Sequence, residues 1–171
     1  MSRTAFRRLA RRGFTMMEVM LALTVFLLMT LMFAAAFPVV LRAAQTSSNY
    51  AQAGELAQHK IDQMRAAGVA QLNYANLVNL NVIDPMAQPP TGLPATFNFA
   101  SVDNLANGNG TSGYFPTGST GTITIVDYHT VNAAVPAGQV DYVTVTIAWP
   151  GGGNAAGSYK VSAMIVQMTH R

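Results

Sequence analysis

The chain has 171 residues, half of them hydrophobic and only a tenth charged, with no cysteine and a formal charge of +3. Such a length holds one domain beyond an anchor and hardly two, and the lack of cysteine excludes disulfides and thiolate metal sites. Five of the ten basic residues, Arg3, Arg7, Arg8, Arg11 and Arg12, precede Phe14, leaving five basic against seven acidic side chains, or −2, from Phe14 onward. The basicity therefore belongs to a short head and gives no reason to expect a nucleic-acid surface.

After that head comes an apolar run from Phe14 to Leu41 whose only ionisable side chain is Glu18. At about 1.5 Å per residue, Val19 to Leu41 spans roughly 34 Å of helix, enough for a hydrocarbon core of about 30 Å. A carboxylate in such a helix costs on the order of 2.5–3.5 kcal/mol on insertion scales, so it marks a function and needs a partner. No basic side chain after Gly13 lies within helical reach of Glu18, which points to a partner on another molecule. The five Arg of the head, against Arg42 alone just past the run, place the head in the cytoplasm and the remainder outside.

Gly13-Phe14-Thr15-x-x-Glu18, set between an Arg-rich leader and an apolar helix, resembles the processing signature of type IV prepilins and of the pseudopilins of type II secretion. The resemblance implies cleavage between Gly13 and Phe14 by a membrane-embedded prepilin peptidase, methylation of the new Phe14 amine, and pairing of Glu18 with the Phe14 amine of a neighbouring subunit. It also implies an inner-membrane assembly platform as partner, and residence in a bacterial inner membrane before incorporation into a surface or periplasmic filament. A buried carboxylate needs a cation, and a freed amine on the next helix supplies one. The missing cysteines depart from many major pilins, whose C-terminal loop is closed by a disulfide, and favour a minor subunit. Arg11-Arg12-Gly13-Phe14 also resembles a twin-arginine export signal with a signal-peptidase site at Ala34-Ala35-Ala36. That alternative implies a soluble binding protein starting near Phe37, although its apolar region would exceed the usual 7–15 residues or so.

Pro38 lies near the outer end of the run, where it removes a backbone donor and is expected to kink the helix without ending it; pilins often carry a proline in this region. From Ala43 to Ala67 the pattern becomes amphipathic, with Tyr50, Ala53, Ala57, Ile61 and Met64 on one side and Gln52, Glu55, Gln58, Lys60 and Asp62 mostly on others. Residues 42–68 thus continue the helix, and Gly68 is placed to stop it. The segment Glu55 to Arg65 resembles the same part of V-type minor pilins and I-type pseudopilins. Residues 69–95, rich in Asn and Pro, read as a helix-to-sheet loop with at most a helical turn around Tyr74 to Leu80.

Residues 96–171 carry strand periodicity. Phe97 and Phe99 flank Asn98. Thr122 to Ile125 alternates before a phase shift at Val126 and Tyr128 that suggests a bulge. Val143, Val145, Ile147 and Trp149 form one apolar face opposite Tyr142, Thr144, Thr146 and Ala148. A last strand, Tyr159 to Met168, is apolar on both faces in its second half and is therefore expected to be central or covered by the helix; the Gly-rich turn after Pro150 joins it to the previous strand as a hairpin, which again resembles the V and I types.

Motifs for chemistry are sparse. Gly108-x-Gly110-x-x-Gly113 has the spacing of a dinucleotide fingerprint but lacks the strand before and the helix after it. Asp103, Asn107 and Asn109 form a weak candidate calcium loop with Leu105 where the first Asp belongs and no bidentate Glu; some pseudopilins bind calcium, but the Asn residues also suit simple turns. Asp127 and His129 would share a strand face, yet His59, His129 and His170 are too few and too scattered for zinc. No nucleophile motif is present, so no enzymatic activity, cofactor or metal is expected. Aromatic stacking on DNA, which a pilus-tip uptake receptor would use, lacks the accompanying basic groove, since Lys60, Arg65, Lys160 and Arg171 are scattered.

The resulting expectation is an α+β, pilin-like subunit: a long N-terminal helix, first transmembrane and then amphipathic, packed on an antiparallel sheet of about four strands. Its partners would be prepilin peptidase and other pilin or pseudopilin subunits, its function structural, in a pilus, a secretion pseudopilus or a competence filament.

Overall fold

The computed structural model describes residues 14–105, 115–151 and 156–167. By internal contacts the chain divides into two units at Ala43/Ala44. A single helix, α1 (Met16–Ala67), runs uninterrupted through Pro38. Lacking an N–H, Pro38 leaves the Ala34 carbonyl without its i+4 donor. The helix ends as the sequence suggests: Gly68 donates to the Met64 carbonyl at 3.0 Å and then turns the chain at φ 78°, ψ 162°, a conformation that a Cβ would strain.

In the first unit every residue of α1 is exposed, with the large apolar side chains from Phe14 to Leu41 between 45 and 84 % accessible. This is a helix long and apolar enough to cross a membrane. In water such a surface would be strongly unfavourable, at roughly 25 cal/mol per Å² of apolar area, so the segment requires lipid or protein around it.

In the second unit the rest of α1 supplies one layer of the core and a four-stranded antiparallel sheet supplies the other. The sheet comprises β1 (Ala95–Asn98), β2 (Thr120–Asp127), β3 (Val140–Trp149) and β4 (Gly157–Val166), in that spatial order. Ala53, Leu56, Ala57, Ile61 and Met64 of the helix are buried in one cluster with Ile123, Ile125, Val143, Val145 and Ile147 of the sheet. The α+β expectation of a long helix on about four antiparallel strands therefore holds. A 3₁₀ turn (Val69–Gln71) and α2 (Tyr74–Asn79) occupy the connection. Asn73 caps α2 by accepting from the Asn76 N–H at 3.0 Å, so the helical turn anticipated at Tyr74 is present.

Four local expectations are corrected. The sequence suggests a bulge at Val126, but β2 pairs with β3 without interruption from Thr120 opposite Ala148 to Asp127 opposite Asp141. The strand simply stops at Asp127, whose carboxylate accepts from the N–H of His129 at 3.0 Å and of Gly138 at 3.1 Å, turning the chain into a 3₁₀ segment (Tyr128–Thr130). His129 therefore leaves the strand and does not share a strand face with Asp127. The last strand, expected to be central or covered, is an edge: Ala163 and Ile165 point into the core while Met164 and Val166 are 51 and 57 % exposed. Sequential hairpins place the final strand outermost, and the helix covers only one face. Lys60, grouped with the solvent-facing positions, is 1 % exposed.

Aromatic rings fill space that neighbouring glycines leave open. The Phe99 ring lies over Gly121, where a Cβ would come within 2.4 Å of it, and the Trp149 indole lies over Gly157 in the same way. Trp149 also meets Tyr50 of α1 edge to face, with ring centroids 5.0 Å apart.

Candidate functional site

At the start of α1, Thr15 acts as an N-cap: its hydroxyl Oγ1 accepts from the Glu18 N–H at 3.3 Å, and its carbonyl accepts from the N–H groups of Glu18 and Val19 at 3.0 and 3.2 Å. Thr15-x-x-Glu18 thus has the spacing of a capping box, with the acid in the first turn where the helix dipole favours negative charge. Local folding alone gives both residues a role, which sequence reasoning assigned only to Glu18. Phe14 is exposed, and so is Glu18. This arrangement leaves the carboxylate open to a partner outside the chain. Gly13, the expected cleavage residue, lies outside the described residues.

The candidate calcium ligand Asp103 is occupied otherwise. It is buried, and its Oδ2 lies 2.9 Å from the Lys60 ammonium. Lys60 Nζ also donates to the Val82 carbonyl at 3.1 Å, approaches that of Asn81 at 3.5 Å, and sits 5.3 Å from the Phe99 ring centroid. An ammonium has three protons, and three oxygens surround this one. Asp84 anchors the same loop from behind: its carboxylate accepts from the N–H groups of Ser101 at 3.0 Å and Val102 at 2.7 Å. The helix, residues 81–84 and residues 99–103 are thereby tied together by one buried polar network, a structural arrangement. Asn107 and Asn109, like the Gly108-Gly110-Gly113 pattern, lie outside the described residues. Among the described residues no group of three or more His, Asp or Glu side chains is placed to hold a metal.

A second buried acid was not anticipated. Asp141 occupies the inward phase of β3, two residues before Val143, and is 3 % exposed. Its Oδ1 has no hydrogen-bond partner. Burial pushes its carboxyl from 3.8 up to about 6, and the Asp127 carboxylate opposite it on β2 adds to the rise. Asp141 lines a cavity of about 510 Å³ at the end of the sheet, bounded by Leu72, Asn73, Tyr74, Leu93 and Phe97 among others. The signal was in the sequence: extending the alternation of Val143, Val145, Ile147 and Trp149 back by one step puts Asp141 on the core face.

No family model matches this chain, and no similar curated protein or solved structure was found. The functional reading therefore rests on the residues themselves. The described chain holds two distinct kinds of site: an exposed apolar half-helix with an acid in its first turn, and a cavity in the second unit with Asp141 among its lining residues.

Proposed function

We propose that this protein is a structural subunit of the type IV pilin and pseudopilin class, a minor pilin or pseudopilin that joins its neighbours through α1. The observation carrying this reading is the placement of Glu18 in the first turn of a helix whose apolar first half is fully exposed, four residues after Phe14. Cleavage at that junction removes the five leader arginines and frees the Phe14 amine. Glu18 of one subunit then neutralises the Phe14 amine of the next, and neighbouring helices replace lipid around the apolar surface as the subunit leaves the bilayer. An ion pair formed away from water is worthwhile only when both charges are matched, so the pairing also reports that a subunit has docked in register.

Each unit by itself supports the same assignment: the sheet of the second packs on Ala53 to Met64 of α1, and the apolar residues of the first are exposed. The test is Glu18→Ala in the native host. Incorporation into filaments should fall at least tenfold, with processing at Phe14 retained; wild-type incorporation would refute the pairing role.

A further inference from the structure

We propose that the cavity at the end of the sheet is a binding site for an organic monocation, an ammonium or guanidinium group carried on a short apolar stem, with Asp141 as its counter-ion. The proposal is independent of the assembly reading above, since every residue concerned lies in the second unit.

The cavity volume of about 510 Å³ falls within the range of about 300–1,000 Å³ typical of small-molecule sites. Its walls are mostly apolar: Leu72, Leu93 and Pro90, with the rings of Tyr74 and Phe97, which stack with centroids 6.2 Å apart. The Tyr74 hydroxyl is already engaged, donating to the Met86 carbonyl at 3.0 Å and accepting from its N–H at 2.6 Å, so this side chain offers the cavity a ring and no free hydroxyl. Asp141 is one of the lining residues; it is nearly all buried, and one of its carboxylate oxygens is enclosed without a hydrogen-bond partner. An ionised oxygen in that position is unfavourable unless matched by a donor, and a charged donor matches it best.

Three features select a monocation over other ligands. Among the described lining residues there is no Lys, Arg or His, so nothing in the described wall repels a cation and nothing there would hold an anion. Asp127, facing Asp141 across the strand pair, adds a second negative charge while its own oxygens are taken by backbone N–H groups. A divalent metal would need several oxygen ligands, and the described residues bring no third acidic or imidazole group to this point. Aromatic walls suit an organic cation, whose stem they cover and whose charge their faces attract.

The raised carboxyl of Asp141 gives the site a pH signature. The titratable groups at the cavity are Asp141 and Tyr74, with Asp127 beside them. A cation favours the ionised form, so binding releases a proton near and below pH 6 and affinity falls as the medium is acidified. With a carboxyl at about 6, affinity drops about tenfold between pH 7.5 and pH 5.

The experiment uses the full chain in detergent micelles, titrated with benzylammonium, with a short blocked peptide carrying one lysine, and with benzyl alcohol as the neutral counterpart, followed by NMR or calorimetry. Saturable benzylammonium binding, weakened at least tenfold by Asp141→Asn and about tenfold at pH 5, with no comparable binding of benzyl alcohol, supports the site. Tighter binding of the lysyl peptide would assign the cation to a protein side chain, and tighter binding of the free amine to a small ligand. Thermal melts check that each variant folds, and Leu93→Trp, which fills the cavity from its rim, should abolish binding with Asp141 intact. Undiminished binding by Asp141→Asn, equal binding of benzyl alcohol, or no saturable binding of either cation at millimolar concentration would overturn the proposal.

Discussion

Replacing Lys60 by Met is the perturbation whose consequence the structure fixes most closely. The methionine keeps the length and most of the apolar contact of the stem but removes the ammonium, taking away the counter-charge 2.9 Å from the Asp103 carboxylate and the donor 3.1 Å from the Val82 carbonyl. Breaking one side of a buried ion pair costs about 3–5 kcal/mol, because the desolvated partner loses its counter-charge. For a folded unit of this size, each kcal/mol lowers Tm by roughly 3–5 °C, so the midpoint should fall on the order of 10–20 °C. Asp103→Asn should be milder, since an amide oxygen still accepts from Lys60 and its two backbone carbonyls remain. The double variant Lys60→Met with Asp103→Asn removes both charges and should lose less than the sum of the singles, by at least about 1 kcal/mol. The assay is thermal and urea unfolding of the full chain in micelles, followed through the near-ultraviolet signal of Trp149. A loss below about 1 kcal/mol for Lys60→Met, or strictly additive effects in the cycle, would refute the buried pair as described.

Two further outcomes follow from the core and the cavity. Gly121→Ala would drive a methyl group to within 2.4 Å of the fully buried Phe99 ring; overpacking of this kind costs about 1–3 kcal/mol in urea unfolding, and an unchanged midpoint would show that the ring moves freely. Because the Asp141 carboxyl is raised from 3.8 to about 6 in the folded state, its contribution is fully present below pH 4 and is lost as pH rises through about 6. Asp141→Asn should therefore be more stable than wild type near pH 7.5, by on the order of 2 kcal/mol, with the difference vanishing near pH 4; no difference at either pH would contradict the burial of that carboxylate.

The fold was legible where a local pattern coincided with burial. Val143 to Trp149 alternates cleanly, and those positions are the core face of β3; the stop at Gly68 and the turn at Tyr74 were equally visible, since both depend on backbone chemistry of adjacent residues. What failed depended on groups distant in sequence. Lys60 has the composition of a solvent-facing residue, and only the return of Asp103, Asn81 and Val82 to its tip explains its burial. The apparent phase shift after Ile125 is the end of a strand, set by the reach of the Asp127 carboxylate to Gly138, eleven residues on. Met164 and Val166 looked interior by hydropathy, yet sheet order placed them on an edge. Asp141 continues the alternation of its neighbours on β3, but its residue type argues against the core face, since an acid seldom occupies a core position.

The assembly reading turns on a covalent event at one peptide bond, and the N-terminus of the mature protein tests it most directly. Mass spectrometry and N-terminal sequencing of protein extracted from membranes of the native host should give a chain that begins at Phe14, carries a methyl group on its amine and retains α1 whole. A chain that keeps its arginine-rich leader, or one that begins near Phe37, would contradict the account.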